Sequence, residues 1–511
     1  MSSARFNIAD HFVDRNLAEG RGERTALLTA AGATTYTELA ALVNRIGNVL
    51  LSLGARRGER ILIALSDGVE FVATWYAAQK IGAVTAEVYT FLPAKDYRYF
   101  LEYTGADVVV VDPVTLDRMR EAGVGDRRVL VVGSTAELRP GEHDFAALVA
   151  EASPELDPAP TTVDDVAIWK FTTGSTGAPK ACVHPAASAL ASHRNYALGV
   201  LDMAQSDVVL PVPKLFFGYA RDLAAMFPLG VGGAGIAFPE RTTADRIFEL
   251  IATHRPTILV NVPTMMSAMV SHPEASTQDL SCLRLCTSAG EALPAELHRK
   301  WDEAFGVEVV DGIGSSEAYH IYISNRPGAA RRGTCGQTVP GYSARVVDED
   351  GVERPAGEVG VLEVTGGTVA REYFGDAAKS AATYRGDTVH TGDLFSQDVD
   401  GFFTYHGRAD DLLKVGGIWV APGEIEDCLI GHADVVECGV VGVEFDGLVR
   451  PRAYVVLRQG VHGSPELGEA MREHVGARLS GHKRPYEVVF TDELPRTSNG
   501  KLDRRALRAL S

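Results

Sequence analysis

Residues 171–180 read FTTGSTGAPK, a stretch with two glycines and four hydroxyl side chains that ends on a lysine. Glycine lets the backbone approach a ligand closely and adopt positive φ, and successive amides and hydroxyls can donate to phosphate oxygens. The order of residues differs from the Walker A loop, G-x-x-x-x-G-K-[ST]. A loop of this composition can also be a plain connector. The segment predicts either such a connector or a phosphate-binding loop made of Thr172, Thr173, Gly174, Ser175, Thr176, Gly177 and Lys180.

The elements around this loop predict parallel sheets covered by helices. VAIWKF, directly before the loop, has the composition of a buried strand, and ligands of open α/β sheets bind at the carboxyl ends of strands. Nearer the N-terminus, ERILIALSD and ADVVVVD are predicted strands, and FVATWYAAQKIG between them is a predicted helix. Thr35 and Glu38 have the spacing of a capping box at the start of a helix over residues 35–54.

The pattern of predicted secondary structure changes twice further along the chain. From about residue 333 to residue 408, short strands separated by turns predict a smaller β-rich unit. After Arg408 a third pattern begins, so we predict an N-terminal domain over 1–408 and a C-terminal domain over 409–511. The run from Lys483 to Arg508 is basic. It is either a solvated face or a contact for a partner that carries phosphate.

Bulk composition excludes several classes of function. The formal net charge of −18 over 511 residues argues against non-specific nucleic-acid binding, which depends on basic side chains. No run of 18 apolar residues predicts a membrane span, and the first residues hold no apolar core of signal-peptide length. The six cysteines form no CxxC pair, so we expect reduced, structural thiols without zinc. A cytoplasmic protein is the expectation.

Further segments fit one chemistry when they are taken together with the loop. They are DGIGSSEAYH at 311–320, TGD at 391–393, GRADDLLKVGG at 407–417 and PRTSNGKLD at 495–503. In this order and spacing the chain resembles the AMP-forming adenylating superfamily of acyl-CoA synthetases and adenylation domains. RFNIADHFVDRN, PKLFFGYARDL and RLCTSAGEALP narrow the resemblance to the benzoate–CoA ligase branch.

The resemblance implies an α/β fold with a large N-terminal domain of αβ-layered sheets. It also implies a distorted β-barrel-like subdomain and a small, mobile α+β C-terminal domain. The implied reaction joins an aryl acid to ATP as an acyl-adenylate, releases pyrophosphate, and passes the acyl group to the thiol of CoA. ATP, Mg²⁺ and CoA are the implied cofactor and co-substrates. The C-terminal domain would rotate between the two steps.

The family's functional residues are carried over position by position. Lys501 matches the lysine that bridges the carboxylate and the α-phosphate, and Lys180 belongs to the phosphate loop. Glu317 matches the metal-linked glutamate, with Thr173 as a second metal contact. Asp410 would be the hinge, and Lys414, Gly416 and Gly417 would line the path of the thiol. The implied nucleotide contacts beyond the loop are Ser288, Gly290, Glu291, Ala292, Asp311, Gly312, Ser316, Asp393 and Arg408.

The acid pocket is where the sequence departs from the family pattern. The resemblance places Phe217, Gly218, Tyr219, Arg221 and His320 there, although Tyr219 or His320 alone is equally an ordinary core residue. FFGYARDL stands where benzoate ligases usually have FFAYGLGN, and VTAEVYTFL at 84–92 also differs. Gly218 in place of alanine predicts room for a ring substituent. Arg221 and Asp222 would read an amino or hydroxyl group if they face the pocket, and would have no role if they face solvent. Ala181 replaces the usual glycine after Lys180.

The sequence leaves the acyl acceptor open. A carrier-protein pantetheine, an amine or another oxyanion could replace CoA, although the basic run from Lys483 to Arg508 favours CoA. A non-catalytic nucleotide sensor of the same fold is disfavoured, because Lys180, Glu317, Asp393, Arg408 and Lys501 are all present. A homodimer is left open.

Overall fold

The computed structural model describes residues 5–133, 137–172, 178–415, 418–445, 448–496 and 502–510. A seven-stranded sheet carries the strand that leads into the phosphate loop. Its neighbouring strands are parallel except at one edge, where the last two form an antiparallel hairpin. In spatial order the strands are Glu142–Asp144, Arg128–Val131, Val108–Val111, Arg60–Ala64, Val84–Glu87, Val166–Thr172 and Lys180–Pro185.

A nine-stranded sheet forms the second layer of the large domain. Its centre is parallel, and antiparallel pairs close both edges. In spatial order the strands are Gln337–Thr338, Ile321–Ser324, Val309–Gly314, Leu285–Ser288, Ile258–Asn261, Val208–Pro211, Ala234–Ile236, Thr25–Thr29 and Gly32–Thr35.

Helices pack against both sheets, and one continuous apolar cluster joins the two. Residues of the helices Tyr36–Ser52 and Val69–Lys80 share this cluster with side chains from both sheets. The predicted capping box is present, because Thr35 Oγ1 accepts from the Glu38 amide at 3.2 Å and Glu38 Oε2 accepts from the Thr35 amide at 2.8 Å. The other α-helices before residue 384 are Arg15–Ala18, Ala94–Thr104, Leu116–Ala122, Phe145–Glu151, Ala186–Ser192, Gly218–Arg221, Phe227–Val231, Ala244–His254, Pro263–Val270, Ala295–Phe305 and Ala377–Thr383.

The described residues also contain π-helical segments and short 3₁₀ turns. Three π-helical segments are Asp10–Asp14, His193–Leu198 and Asp222–Met226, and the last continues the helix Gly218–Arg221. The 3₁₀ turns are Ala275–Thr277, Ser316–Ala318, Ala409–Asp411 and Gly481–Lys483.

The β-rich part and the C-terminal part follow in chain order. An antiparallel sheet is built from Tyr342–Val347, Gly360–Gly366, Tyr384–Arg385, Thr388–Gln397 and Phe403–Arg408. The last part combines the helices Pro422–Ile430, Pro465–Gly476 and Arg504–Ala509 with two small sheets. Their strands are Leu413–Val415 with Ile418–Val420, and Val435–Phe445 with Leu448–Leu457 and Glu487–Phe490. The α/β fold class expected from the sequence is confirmed.

Candidate active site

The predicted phosphate loop lies between the two strands of a β-hairpin at the edge of the seven-stranded sheet. Thr172 ends one strand and Lys180 begins the next, and the two are directly paired across the hairpin. The predicted loop residues Thr173, Gly174, Ser175, Thr176 and Gly177 lie outside the described residues. The pairing fixes the lysine beside the base of the loop.

Lys180 faces two residues that the sequence motifs did not indicate. Its Nζ lies 3.3 Å from Asp376 Oδ2 and 6.0 Å from the centre of the Tyr373 ring. The Tyr373 hydroxyl in turn donates to Glu317 Oε1 at 2.8 Å. Tyr373 therefore links the loop cation to the candidate metal-binding carboxylate. Nothing in the stretch REYFGD is a recognisable motif, so only the backbone pairing of 371–374 with 181–183 reveals this contact.

A short turn holds Glu317 against the hairpin. Ser316 Oγ donates to the Phe171 carbonyl at 3.3 Å, and Nε2 of His184 lies 2.7 Å from the Ser316 carbonyl. Burial lowers the pKa of His184 to about 3, so its imidazole is neutral at physiological pH. The turn is thus tied to both strands of the hairpin.

The predicted nucleotide contacts on the nine-stranded sheet lie at neighbouring strand ends. Ser288 and Asp311 are paired across adjacent parallel strands, and both are buried. Burial raises the pKa of Asp311 to about 8. Glu291 Oε2 accepts from the hydroxyl of Thr264 at 2.6 Å, and burial raises its pKa as well. Beside Glu291, Gly290 and Ala292 are exposed, and Gly312 is buried next to Asp311.

Asp393 and Arg408 form a pair on adjacent antiparallel strands. Arg408 Nη1 donates to Asp393 Oδ1 at 3.0 Å, and the arginine side chain is 40% exposed. Burial raises the pKa of Tyr322, and the carboxylates of Asp393 and Glu317 raise it further. Both carboxylates therefore lie around one tyrosine. Contacts lead from Lys180 through Tyr373 to Glu317, and Tyr322 is the residue on which both Glu317 and Asp393 act.

The predicted acid-pocket residues Tyr219 and His320 come together. Their ring centres are 5.9 Å apart, and the Tyr219 hydroxyl lies 2.7 Å from Thr287 Oγ1. Burial lowers the pKa of His320 to about 3, which leaves the ring neutral. Its Nε2 lies 3.4 Å from the Tyr219 carbonyl. Its buried Nδ1 has no hydrogen-bonding partner among the described residues. Phe217 directly precedes the helix Gly218–Arg221, which carries Tyr219, and its ring packs on Tyr89.

The room expected beside Gly218 is occupied. A Cβ atom at Gly218 would lie 2.7 Å from Nζ of Lys170 and 2.8 Å from its Cε. The glycine is needed because the lysine side chain crosses it, so the prediction of free space for a ring substituent was wrong. No sequence signal pointed to Lys170, which lies inside a buried strand.

Arg221 and Asp222 fit neither expectation made from the sequence. Both are buried, and Arg221 Nη2 donates to Asp222 Oδ1 at 2.7 Å. Arg221 also pairs with Glu87, and Asp222 with Lys170. Two segments that depart from the family pattern, residues 84–92 and 216–223, thus meet in one ion network.

Asp410 and Lys414 follow the Asp393–Arg408 pair in the chain. Asp410 Oδ2 lies 4.0 Å from Arg408 Nη2 on an exposed turn. Lys414 is exposed on the strand Leu413–Val415. Gly416, Gly417 and Lys501 lie outside the described residues, although Arg496 and Leu502, which flank the Lys501 segment, form a backbone bridge.

The basic run near the C-terminus is matched by acids of the same region. Its ion pairs are Lys483–Glu424, Arg484–Glu469, Arg496–Glu437, Arg504–Glu426 and Arg508–Asp411. Five of its cations are therefore already paired within the chain. These pairs show what the run contacts in this structure and leave the sequence-based argument for CoA as a prediction.

Three further observations bear on the expected chemistry. All six cysteines are free thiols. Within the described ranges, no three His, Cys, Asp or Glu side chains group closely enough to hold a metal ion by themselves. Among the helices that the structure describes, none has the length and apolar character needed to cross a membrane.

The fold and this site define a nucleotide-binding enzyme. A family model described as AMP-binding enzyme matches residues 14–374, and the model of the AMP-binding enzyme C-terminal domain matches residues 424–501. The chain belongs to the AMP-binding enzyme family, as its motifs indicated.

Relatives of known activity cover nearly the whole chain. The benzoate–CoA ligase of Thauera aromatica is 40% identical over 510 residues, or 99% of this chain and 96% of that protein. The anthranilate CoA ligase AuaEII, solved in complex with anthranoyl-AMP, has a TM-score of 0.95 at 34% identity and covers 99% of this chain and 97% of its own. A benzoate CoA ligase from Burkholderia xenovorans LB400 has a TM-score of 0.91 at 38% identity, and the match covers 98% of this chain and 100% of that ligase. The resemblance to the benzoate–CoA ligase branch is confirmed.

Proposed function

We propose that this protein activates a substituted aryl carboxylic acid with ATP and transfers the acyl group to CoA. The observation that carries the proposal is the linked set Lys180, Tyr373 and Glu317 beside the Asp393–Arg408 pair. The facing rings of Tyr219 and His320 supply the adjoining aromatic site. The activities named for the benzoate and anthranilate ligases support the same reaction.

In the first step a carboxylate oxygen attacks the α-phosphorus, and the bond to pyrophosphate breaks. Both reactants are anionic, so the site must neutralise charge and align the groups. Lys180 would bind the β- and γ-phosphates after leaving Asp376. Lys501 would stabilise the charge that develops at the α-phosphate. Asp393 can accept from two ribose hydroxyls, and Arg408 can donate to the same ribose.

Glu317 fits a magnesium ion that arrives with ATP. Mg²⁺ is usually bound by one or two carboxylates together with the phosphates of the substrate. Glu317 offers one carboxylate, oriented by the Tyr373 hydroxyl at 2.8 Å. The ion would neutralise phosphate charge, and Tyr373 would keep the carboxylate directed toward it. Thr173 is the second contact that the family resemblance suggests.

In the second step the thiol sulfur bonds to the acyl carbon, and AMP leaves. Lys501 is no longer needed, whereas the thiol requires a path to the site. Asp410, immediately after the ribose-side pair, is the proposed hinge at the boundary between 1–408 and 409–511. Lys414, Gly416 and Gly417 would then line the thiol path.

Acids with a ring hydroxyl or amino group are the proposed substrates. The basis for this preference is His320 and not Arg221 or Gly218. A neutral imidazole whose Nε2 donates to a carbonyl has Nδ1 as an acceptor. A buried acceptor without a partner carries a desolvation penalty, and a substituent that donates to it would remove that penalty.

The test is acid-dependent exchange of pyrophosphate into ATP over a panel of benzoates and aliphatic acids. Each active acid is then incubated with CoA, and the product mass is measured. We expect hydroxy- or aminobenzoates to exceed plain benzoate, and the product to have the mass of an aryl-CoA. Equal exchange with medium-chain aliphatic acids would contradict the aryl site. Adenylate without thioester would point to a carrier protein or an amine.

A further inference from the structure

A buried cluster of four charged side chains lies under the candidate acid pocket. It consists of Lys170, Glu87, Arg221 and Asp222, of which none is more than 6% exposed. Two cations and two anions give the cluster no formal net charge. Trp75 donates its indole N–H to Glu87, and its ring lies 4.8 Å from the Arg221 guanidinium carbon. Buried charges of this kind persist only when they are paired and hydrogen-bonded.

Lys170 is the member that reaches the pocket wall. Its Nζ lies 2.6 Å from Asp222 Oδ2 and 2.6 Å from the carbonyl oxygen of Tyr319. The same ammonium lies 3.6 Å from the centre of the Tyr319 ring. Two of its N–H donors are thus hydrogen-bonded, and the ammonium also lies over an aromatic face. All three of these contacts are with protein groups.

The Tyr319 carbonyl belongs to a strained turn. Tyr319 has φ +74° and ψ −56°, and the His320 amide donates to the Ala318 carbonyl at 2.9 Å. These angles and this bond define a classic γ-turn, which is rare and costly for a bulky residue. The turn sets the direction of His320, the next residue. A charged hydrogen bond to the carbonyl at its centre would hold the turn in place.

Gly218 completes the arrangement on the other side. Because a Cβ there would lie 2.7 Å from Nζ, Lys170 occupies this position only beside a glycine. The lysine thus touches the start of the helix that carries Tyr219 and the turn that carries His320. Its own strand, Val166–Thr172, leads into the phosphate hairpin.

We propose that Lys170 is a positioning residue that fixes Tyr219 and His320 around the aryl acid through Asp222, the Tyr319 carbonyl and Gly218. The inference rests on the proposed function, because it assigns Lys170 to the acid side of that reaction. The ammonium acts through protein groups only. Its loss should loosen the acid site while the nucleotide contacts, which do not include Lys170, keep their geometry.

The main test replaces Lys170 by methionine, which retains the length of the side chain and removes the charge. Pyrophosphate exchange with the preferred aryl acid is measured at saturating ATP and then at saturating acid. We expect the KM for the acid to rise on the order of tenfold, the effect of one charged hydrogen bond. The KM for ATP should change by less than about twofold, as expected for a site without a shared contact.

Lys80→Met is the matched control. Lys80 is also buried, and its Nζ pairs with Asp14 at 2.8 Å and with Asn44, neither of which belongs to the acid pocket. This variant should lose thermal stability like Lys170→Met and keep both KM values. Equal shifts in the KM for the acid in the two variants would reduce Lys170 to a structural role and overturn the proposal.

Gly218→Ala keeps the test decisive if Lys170→Met fails to fold. The added methyl displaces the ammonium without removing it, so the KM for the acid should rise in the same direction by a smaller factor. An unchanged KM for the acid in Gly218→Ala would contradict the proposal. A wild-type protein that exchanges pyrophosphate with no aryl acid would overturn the proposed function and this inference together.

A pH profile of the KM for the acid distinguishes a positioning role of the Lys170 ammonium from a role in packing alone. Burial lowers the pKa of Lys170 to about 8, although Asp222 opposes the shift. The KM for the acid should therefore rise as pH increases through about 8, and Lys170→Met should lack that rise. A wild-type profile identical to that of Lys170→Met would count against the assignment. The other titratable or charged groups that act on Lys170 or lie around it are Glu87, Cys182, His184, Arg221, Asp222, Tyr319 and His320.

Discussion

The nucleotide side and the acid side of the site are built in opposite ways. On the proposed nucleotide side, Lys180 and Arg408 are partly exposed, and each pairs with a carboxylate, Asp376 and Asp393 respectively. On the acid side, Lys170 and Arg221 are buried and fully engaged with protein partners. The first arrangement leaves charges available for ATP. The second uses charge to shape a wall that an aromatic acid would touch.

The two sides should also differ in how well they tolerate substitutions. Groups that are proposed to meet the nucleotide keep the residue types of the family motifs, as in TGD at 391–393. The acid side departs from the family at several positions, and two of the departures are paired, because Glu87 of the segment 84–92 pairs with Arg221. Lys170 in turn fits over Gly218. A single reversion on the acid side should therefore cost more stability than a single change among the ligand-facing charges.

The largest expected effect is on the stability of the acid side. Arg221→Leu leaves Glu87 and Asp222 buried without their shared cation, and breaking a buried pair costs about 3–5 kcal/mol. Urea unfolding measures the loss. The single variant Glu87→Gln and the double variant Glu87→Gln, Arg221→Leu complete the cycle, and the double variant removes both charges and keeps the Lys170–Asp222 pair. Its cost should be less than the sum of the single costs, and strict additivity would mean that the network is not coupled.

The next effect is on catalysis from the nucleotide side. Lys501→Ala should lower pyrophosphate exchange by at least about 10²–10³-fold, the usual cost of losing a charge that stabilises the transition state. ATP binding, measured by calorimetry, should survive. Lys483→Ala is the control, since Lys483 already pairs with Glu424 in the same part of the chain. Retained exchange in Lys501→Ala would contradict the role given to this lysine.

A smaller effect is expected at the ribose contact. Asp393→Asn weakens the acceptor for the ribose hydroxyls and the pair with Arg408, so the KM for ATP should rise by about 10-fold or more. The KM for the acid should stay unchanged. Asp387→Asn, an exposed position at the start of the same sheet region, should change neither value. A shift in the KM for the acid would show that the two sides are not independent.

The smallest effect comes from the carboxylate that competes for Lys180. Asp376 also caps the helix Ala377–Thr383, because its Oδ1 accepts from the Lys379 amide at 3.0 Å. Asp376→Asn keeps a capping side chain and removes the charge. The KM for ATP should fall by no more than about threefold, as expected for an exposed ion pair, and the difference should shrink at high salt. A rise in the KM for ATP would mean that Asp376 assists nucleotide binding.

Sequence reasoning succeeded where spacing carries the information. The capping box of Thr35 and Glu38 was predictable because three residues separate a hydroxyl from a carboxylate. The motif TGD likewise singled out Asp393, which the structure pairs with Arg408, and its role toward the nucleotide stays a prediction. Lys170 and Tyr373 could not be found this way, because a lysine in an apolar strand and a tyrosine in a loop have no defining spacing. Their roles depend on which segments the sheets bring together, and that information is non-local.

The strand Lys180–Pro185 is held on both of its edges. It pairs with Val166–Thr172 on one side, while the amides of Val183 and Phe374 bridge it to the segment 371–374 on the other. Amide protons along such a strand should exchange slowly with deuterated solvent even before ATP is added. Nucleotide binding would then need no ordering of the base of the hairpin, which leaves more of the interaction energy available for affinity.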